Sequence, residues 1–458
     1  MKILLIAYDN GSHLNLFPIG IGYIASVLLK KGHKVVIYNQ DIYHHSPKHL
    51  TDFLDNHNFD AVGMGVVGGY YQYKKLLEIS NAINNSKKRP LYIIGGYGPT
   101  PEPEFFLKKT RADIVVMGEG EDTIVELFSG KNLYDVNGIA FRDQNEIVIN
   151  ERRKLIRDLD SIPFPAYELF PMEIYRLKRV PNTTLTDFVV PMVSGRGCKF
   201  KCNFCYRMDK GARERSNEHI VEEMKMLKTD YSITVVDFCD DLLMSSKNRA
   251  IALSQEIISA NLNMRWHCNG RLNYATPDVI KIMKEAGCVY INYGIECFDD
   301  GVLKTMNKAL TTEQIVKGIK ATLEHGVSPG FNIIFGNIDE DEKTLKKSVD
   351  FLLEYGDWAE MRTIRPVTPY PGSPLYYYAL EKGLLKDAED FYENKHINSD
   401  LLTVNFTKLS DEDFYKYLYE ANKKLIRAYL DKKMELIKGD MDKLYCDLNV
   451  NFRGFRDV

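Results

Sequence analysis

Short apolar runs separated by amphipathic, helix-length stretches set the rhythm of residues 1–150. Lys2 to Tyr8 predicts a strand, Gly20 to Lys31 a helix closed by Gly32, and His33 to Tyr38 a second strand. Helical material around Pro47 to His57 precedes a strand at Ala61 to Val67, a helix near Tyr73 to Asn85, and strands at Leu91 to Gly95 and Ile114 to Met117. Strands spaced by helices are the pattern of a parallel sheet covered on both faces, so this segment reads as a doubly wound, Rossmann-like α/β domain.

Residues 151–185 carry Ile162-Pro163-Phe164-Pro165 and Pro171, which oppose regular structure and predict a linker. The alternation resumes over 186–380. Strands are expected at Phe188 to Val193, Ile233 to Phe238, Arg265 to Cys268, Val289 to Ile295, Gly330 to Phe335 and Thr363 to Pro366. Helices at Asn217 to Leu227, Asn248 to Ala260, Pro277 to Glu285, Asp300 to Met306, Thr312 to His325 and Glu342 to Tyr355 fill the gaps. Six such units predict a partial, TIM-like (β/α)6 barrel. Beyond Pro374 the periodicity is helical, at Leu375 to Lys382 and Asp411 to Leu436, and residues 381–458 read as a small helical C-terminal domain or lid.

A length of 458 residues fits two or three domains, and 45% hydrophobic content is that of a globular chain. With 60 basic against 63 acidic residues the net charge is -3, which leaves no footprint for bulk nucleic-acid binding. No apolar stretch approaches the roughly 20 residues that span a bilayer. The opening Met1-Lys2-Ile3-Leu4-Leu5-Ile6-Ala7-Tyr8-Asp9 ends on an aspartate without a small-residue cleavage site, and reads as a buried strand rather than a signal peptide. Eight cysteines are too sparse for a disulfide scaffold, so a reducing, cytoplasmic setting is expected.

Three of those cysteines, Cys198, Cys202 and Cys205, follow the first barrel strand and the turn Ser194-Gly195-Arg196-Gly197. That is the strand end where barrels place their chemistry. Thiolates suit zinc or iron–sulfur. Structural zinc needs a fourth ligand, and no cysteine or histidine lies between Cys205 and His219. Three thiolates can instead hold three irons of a cubane and leave the fourth open. Cys239, Cys268, Cys288, Cys297 and Cys446 form no ligand-spaced set, so a second cluster is not expected; they read as small core residues, or, for Cys239, Cys268 and Cys297 near strand ends, as cavity lining.

The CxxxCxxC run, with Phe204 before its last cysteine, resembles the signature of the radical S-adenosylmethionine superfamily. Val236-Asp237-Phe238-Cys239-Asp240-Asp241, Asn292-Tyr293-Gly294-Ile295-Glu296-Cys297, Leu303-Lys304-Thr305-Met306-Asn307-Lys308 and Pro369-Tyr370-Pro371-Gly372-Ser373-Pro374 resemble its later segments in order, with Cys297 departing from the usual serine. The resemblance implies a 4Fe-4S cluster whose open iron is chelated by S-adenosylmethionine, and reductive cleavage of that cofactor to a 5'-deoxyadenosyl radical. The electron would come from an external donor such as flavodoxin or ferredoxin. It implies Glu296 on the ribose hydroxyls, unless that carboxylate pairs with a neighbouring barrel Arg or Lys. Asp240 and Arg271 are candidates for the methionine end or for structural roles. Phe204 and Tyr206 would shield the cluster and contact adenine, or pack the loop.

Two glycine runs, Gly63 to Gly69 and Gly95 to Gly98, stand at strand ends of the first domain, as tight turns or as places where a ligand meets backbone. Neither is a GxGxxG with a following acidic residue, so a nicotinamide dinucleotide is not expected. With Pro18-Ile19-Gly20-Ile21-Gly22-Tyr23-Ile24-Ala25, and with Gly118-Glu119-Gly120-Glu121 and Thr123, the domain resembles the cobalamin-binding class of radical enzymes, the class B methyltransferases and the anaerobic Mg-protoporphyrin ester cyclase-like group. The DxHxxG loop is absent, since Asp9 is followed by Asn10 and Gly11 with His13 off register. The resemblance implies a cobalamin contacted by His13, Gly65, Gly68, Tyr70, Gly95, Gly96, Tyr97, Gly98 and Glu119. Tyr70, Tyr71 and Tyr97 would cover its lower face or serve as interdomain packing. The implied reaction is methylation of an unactivated carbon of a small-molecule or natural-product substrate, a chemistry with no obligatory protein base. A radical cyclase or oxidoreductase is the alternative. A methylthiotransferase acting on nucleic acid would carry cysteines upstream, and none precedes Cys198.

Overall fold

The structure is a computed structural model that describes residues 1–9, 16–208, 210–449 and 451; His13 lies outside the described residues. The first region runs β1 (Lys2–Ala7), α1 (Ile19–Lys30), β2 (Lys34–Asn39), α2 (Gln40–Tyr43), α3 (Pro47–Asn56), β3 (Ala61–Gly65), α4 (Tyr70–Asn84), β4 (Leu91–Gly95), α5 (Pro103–Thr110), β5 (Ile114–Val116), α6 (Glu121–Leu127), β6 (Ile139–Asp143) and β7 (Glu146–Ile149). The chain continues through α7 (Met172–Tyr175), β8 (Val189–Met192), β9 (Gly195–Arg196), β10 (Arg213–Glu214), α8 (Asn217–Tyr231), β11 (Val235–Phe238) and α9 (Lys247–Ala260). Then come β12 (Arg265–Gly270), α10 (Pro277–Glu285), β13 (Cys288–Glu296), α11 (Asp300–Thr305), α12 (Thr312–Glu324), β14 (Ser328–Phe335), α13 (Glu342–Tyr355), β15 (Arg365–Pro366), α14 (Pro374–Glu381) and α15 (Asp411–Met441). Two compact units result. One comprises Met1–Lys178, Val189–Leu243 and Thr368–Val404; the other comprises Arg179–Phe188, Met244–Val367 and Asn405–Val458.

In the first unit a seven-stranded sheet has the order β2-β1-β3-β4-β5-β6-β7. Its first five strands are parallel, as the alternation predicts, and their apolar runs supply a core of Ile3, Leu4, Ile6, Val62, Tyr92 and Ile94. The loops after β1, β3, β4 and β5 therefore lie at the carboxyl edge, where open parallel sheets bind ligands. The antiparallel hairpin β6–β7 was not expected. Its turn contains Gln144 in the left-handed region at φ 50°, a conformation that the Gln144-Asn145 pair does not announce as a glycine would. β8 pairs in parallel with β11 in the same unit.

In the second unit β12, β13, β14 and β15 lie side by side, all parallel. Helices intervene between them, the repeating pattern of a barrel-like α/β fold. Tyr293 of β13 reaches Thr322 of α12 (2.9 Å), so that side of the strand faces the helices and Tyr290, Asn292 and Gly294 face the other way. Helix α15 runs five residues past its expected end, capped by Ser410 on the Asp413 amide. Phe414, Leu418, Ala421 and Leu425 form its buried stripe, at the spacing that puts one helix face inward.

Candidate functional site

The cysteine loop is closed at its base by the β9–β10 ribbon, in which Arg196 pairs with Arg213 and Gly195 with Glu214. A bridge between Cys198 and Lys210 extends the closure. Two buried carboxylates grip this base. Asp240, at the end of β11, accepts from the amides of Ser194 (2.7 Å) and Gly195 (3.3 Å) and from the Ser194 hydroxyl. Glu119, in the loop after β5, accepts from Arg196 Nη1 (2.8 Å), from Arg213 Nη1 (2.9 and 2.8 Å) and from the Ile156 amide (2.8 Å). Burial alone would push the Glu119 carboxyl up, but the two guanidiniums and the amide outweigh it and hold the group below the usual carboxylate range. Glu121 takes the other arm of Arg196 (2.5 Å).

Further along, the carbonyl of Asn203 accepts from the Leu375 amide at the start of α14 (2.8 Å), and Arg152 bridges the carbonyls of Met208 (3.4 Å) and Thr100 (3.3 Å). Of the three thiols, Cys202 is buried, Cys198 half-buried and Cys205 exposed, and none is in a disulfide. Among the described residues no three His, Cys, Asp or Glu side chains converge on a single metal ion. A cubane distributes its thiolates over separate irons, so this soft, all-thiolate donor set on a loop fixed at both ends suits a cluster better than a mononuclear ion.

Phe204 is half-buried in this loop. Tyr206 stands edge-on to Tyr97 (5.9 Å between centroids, 89°), and a Cβ on Gly372 would strike the Tyr206 ring at 2.5 Å. Three separate sequence motifs thus meet at one ring: the cysteine run, the second glycine run and the Pro371-Gly372-Ser373 turn.

The two glycine runs interlock. The Val66 amide donates to the Gly95 carbonyl (2.8 Å) and the Gly98 amide to the Val66 carbonyl (3.1 Å). Gly96 sits at φ 101°, with room for no Cβ beside Val66 O (2.8 Å), while a Cβ on Gly98 would lie 3.5 Å from the Gly68 backbone. Gly68 also borders Tyr392 and Tyr370, whereas Gly65 is in loose contact with Ile21. Tyr70 opens α4 and carries the Lys74 ammonium 4.4 Å over its ring. Beside these turns Leu16, Val67, Tyr71 and Tyr97 expose apolar surface at the ends of β1, β3 and β4. An apolar and aromatic rim around close-packed backbone fits a large flat ligand such as a corrin.

In the second unit Glu296 ends β13 in the left-handed region (φ 70°), where the β13–β14 register shifts, and its carboxylate meets Lys308 Nζ at 2.9 Å with both groups buried. Gly294 leaves the space for this pair, since a Cβ there would lie 2.5 Å from the Glu296 carboxylate. Arg271, after β12, donates to the carbonyls of Lys308 and Ala309 (2.7 Å to the latter). Asn307 and Ala309 are themselves left-handed, at φ 53° and 50°. Arg271 and Glu296 therefore meet through one short, tightly folded segment. Behind it, buried Glu340 accepts from the Gly336 (2.8 Å) and Asn337 (2.9 Å) amides and contacts the Cys297 thiol; burial raises its carboxyl pKa to about 8.

Arg196, Arg213, Lys308 and Glu340 were not singled out from sequence. Arg196 stands two residues before the first cysteine and could have been flagged as a charge beside a ligand; Lys308 closes one of the family-like segments, and Arg213 lies in an ordinary-looking charged stretch.

Comparisons with known proteins agree with this arrangement. Residues 11–128 match the B12 binding domain and residues 192–352 the radical SAM superfamily. The uncharacterized methyltransferase PH0819 of Pyrococcus horikoshii is 30% identical over 401 residues, covering 84% of each chain. The cytidylyl-2-hydroxyethylphosphonate methyltransferase of Streptomyces wedmorensis is 25% identical, over 82% of this chain and 80% of that one. Among solved structures, the radical S-adenosylmethionine methyltransferase TsrM of Kitasatospora setae, with cobalamin and a [4Fe-4S] cluster bound, superposes with a TM-score of 0.67 at 16% identity, over 83% of this chain and 75% of that one. Both domains, and a relative at 30% identity covered over most of its length, show that the chain belongs to the cobalamin-binding radical S-adenosylmethionine enzymes.

Proposed function

We propose that the protein binds a 4Fe-4S cluster, S-adenosylmethionine and cobalamin, and methylates an unactivated carbon of a small-molecule substrate with electrons from an external one-electron donor. The observation that carries this reading is the single unit in which the CxxxCxxC loop and the glycine-built carboxyl edge of a B12-type sheet are fixed together. When bound, the cluster with S-adenosylmethionine supplies a carbon-centred oxidant, and cobalamin supplies the methyl group.

The chain's own part is binding and orientation. Cys198, Cys202 and Cys205 would hold the cluster, and the Asp240 and Glu119 contacts fix the loop that presents them. Tyr206 and Tyr97, packed edge to face, would form an aromatic wall beside it. Glu296 would receive ribose hydroxyls: a carboxylate has about four acceptor positions, and Lys308 occupies one of them. Arg271, turned onto two carbonyls, acts by shaping the Lys308–Ala309 segment. No helix of the described residues is long and apolar enough to cross a membrane, and a diffusible substrate needs no such helix.

The test is anaerobic reconstitution with iron, sulfide and cobalamin, followed by absorption spectra and product analysis. Joint formation of 5'-deoxyadenosine and S-adenosylhomocysteine with a methylated product is expected. Deoxyadenosine without S-adenosylhomocysteine would reject methyl transfer in favour of a cyclase or oxidoreductase.

A further inference from the structure

All three cysteines lie between Arg196 and Arg213, which face each other across the β9–β10 ribbon and converge on one buried carboxylate, Glu119. Glu119 does not belong to the loop or to the strands that carry it; it comes from the turn after β5 of the N-terminal sheet. Its side chain is 4% exposed, and those of Arg196 and Arg213 are 19% and 15% exposed, so the three charges meet largely out of water. The geometry is that of a clamp. Each guanidinium reaches the carboxylate from a different strand, and the Ile156 amide fills a further acceptor position. Glu121 and the Tyr23 ring, 5.3 Å from the guanidinium carbon, hold Arg196 from its other sides. Removing the carboxylate leaves two cations buried without their shared partner, a larger disturbance than the loss of one surface pair.

We infer that Glu119 is a positioning residue for the iron–sulfur cluster: with Arg196 and Arg213 it locks the base of the cysteine loop to the N-terminal sheet, so that the cobalamin-type domain sets the geometry and the electrostatic surroundings of the cluster. Asp240 pins the same ribbon through the Ser194 and Gly195 backbone. The loop is thereby held from both neighbouring elements, and Glu119 is the hold that charge makes. The inference rests on the cluster reading only for its second consequence. Its first consequence, a fixed loop, belongs to the chain without cofactors.

The test uses the full chain and the substitution Glu119→Gln, which keeps shape and removes charge. In the apo protein, tryptic cleavage at Lys199, Lys201, Arg207 and Lys210 should accelerate by about tenfold, because local opening of the loop is no longer opposed by the clamp. In reconstituted protein, loss of iron to a chelator should accelerate in parallel, and the cluster's reduction potential should rise because a negative charge nearby has gone. The double variant Glu119→Gln with Arg213→Gln should cleave more slowly than Glu119→Gln alone, since it also removes one of the two cations that Glu119 held together across the ribbon. Glu126→Gln, which breaks the Arg153 and Lys131 pairs on helix α6 of the same unit, should leave loop cleavage at the wild-type rate.

If Glu119→Gln fails to fold, Arg213→Lys, which keeps charge but loses the planar guanidinium whose Nη1 meets both Glu119 oxygens, carries the same expectation at a smaller size. Loop cleavage in the Glu119 and Arg213 variants within twofold of wild type, or equal acceleration by Glu126→Gln, overturns the clamp. A wild-type protein that never acquires cluster absorption would instead reject the proposed function, and the apo cleavage result would still decide the clamp.

Discussion

Glu119 and Glu296 are both buried carboxylates beside a motif of the radical core, yet the two units use them differently. Glu119 is saturated, with two guanidiniums and an amide on its oxygens. Glu296 meets one ammonium and sits on strained backbone. A carboxylate whose acceptor positions are filled by protein is an anchor; one with positions in reserve, held in an unfavourable conformation, is poised for something else. The surroundings follow the same division. Where the first unit's two glycine runs meet, the close approaches are made at Gly68, Gly96 and Gly98, whereas around Glu296 the left-handed positions are Glu296 itself, Asn307 and Ala309.

The largest effect expected bears on the anchored loop. Cys202→Ala should abolish cluster absorption after reconstitution and take 5'-deoxyadenosine formation below detection, because two thiolates cannot hold the cubane. Retained absorption near wild type would break the assignment of the loop. Next is Glu296→Gln, which takes the Glu296 charge away from buried Lys308 and should cost about 3 kcal/mol in denaturant titration. Lys308→Met with Glu296→Leu should recover most of that loss while leaving S-adenosylmethionine binding impaired in calorimetry. Recovery of binding together with stability would make Glu296 an anchor like Glu119 and erase the contrast.

Gly96→Ala tests the glycine-built side. A Cβ at φ 101°, 2.8 Å from Val66 O, should destabilise the protein by about 2 kcal/mol, seen as a lower thermal midpoint. The most gradual effect concerns Glu340. Below the ordinary carboxyl pKa both folded and unfolded chains hold its proton; from there to about 8 only the folded chain does. Stability should therefore fall as pH rises through that window, by at most about 1.4 kcal/mol per pH unit from this group, and level off above it. Glu340→Gln should remove that slope from urea midpoints measured between pH 5 and 9; an unchanged slope would show that other groups carry it.

Much of this was legible in the chain. The parallel strands announced themselves as apolar runs, and Pro277–Glu285 and Glu342–Tyr355 form helices with the expected bounds, each with an acidic first turn and a clear apolar face. The cysteine loop was legible because ligand spacing is local. Glu119 was singled out for a cofactor, but its partners Arg196 and Arg213 were not, because an ion pair between residues 77 and 94 positions apart leaves no periodic trace. For Glu296 a neighbouring barrel Arg or Lys was the alternative to the ribose, and Lys308 is that partner; that the same segment also takes Arg271 through its carbonyls was not foreseen, since it depends on the left-handed turn at Asn307 and Ala309.

The sequence by itself determined the alternation of parallel strands and helices, the three thiols and the glycines at the strand ends, since each depends on spacing along the chain or on the absence of a side chain. Only the tertiary structure decided which charges meet. Burial makes that choice costly to get wrong, because a charge removed from water must find its partner wherever the fold brings one. Here it brought Glu119 to the base of the cysteine loop and Lys308 to Glu296.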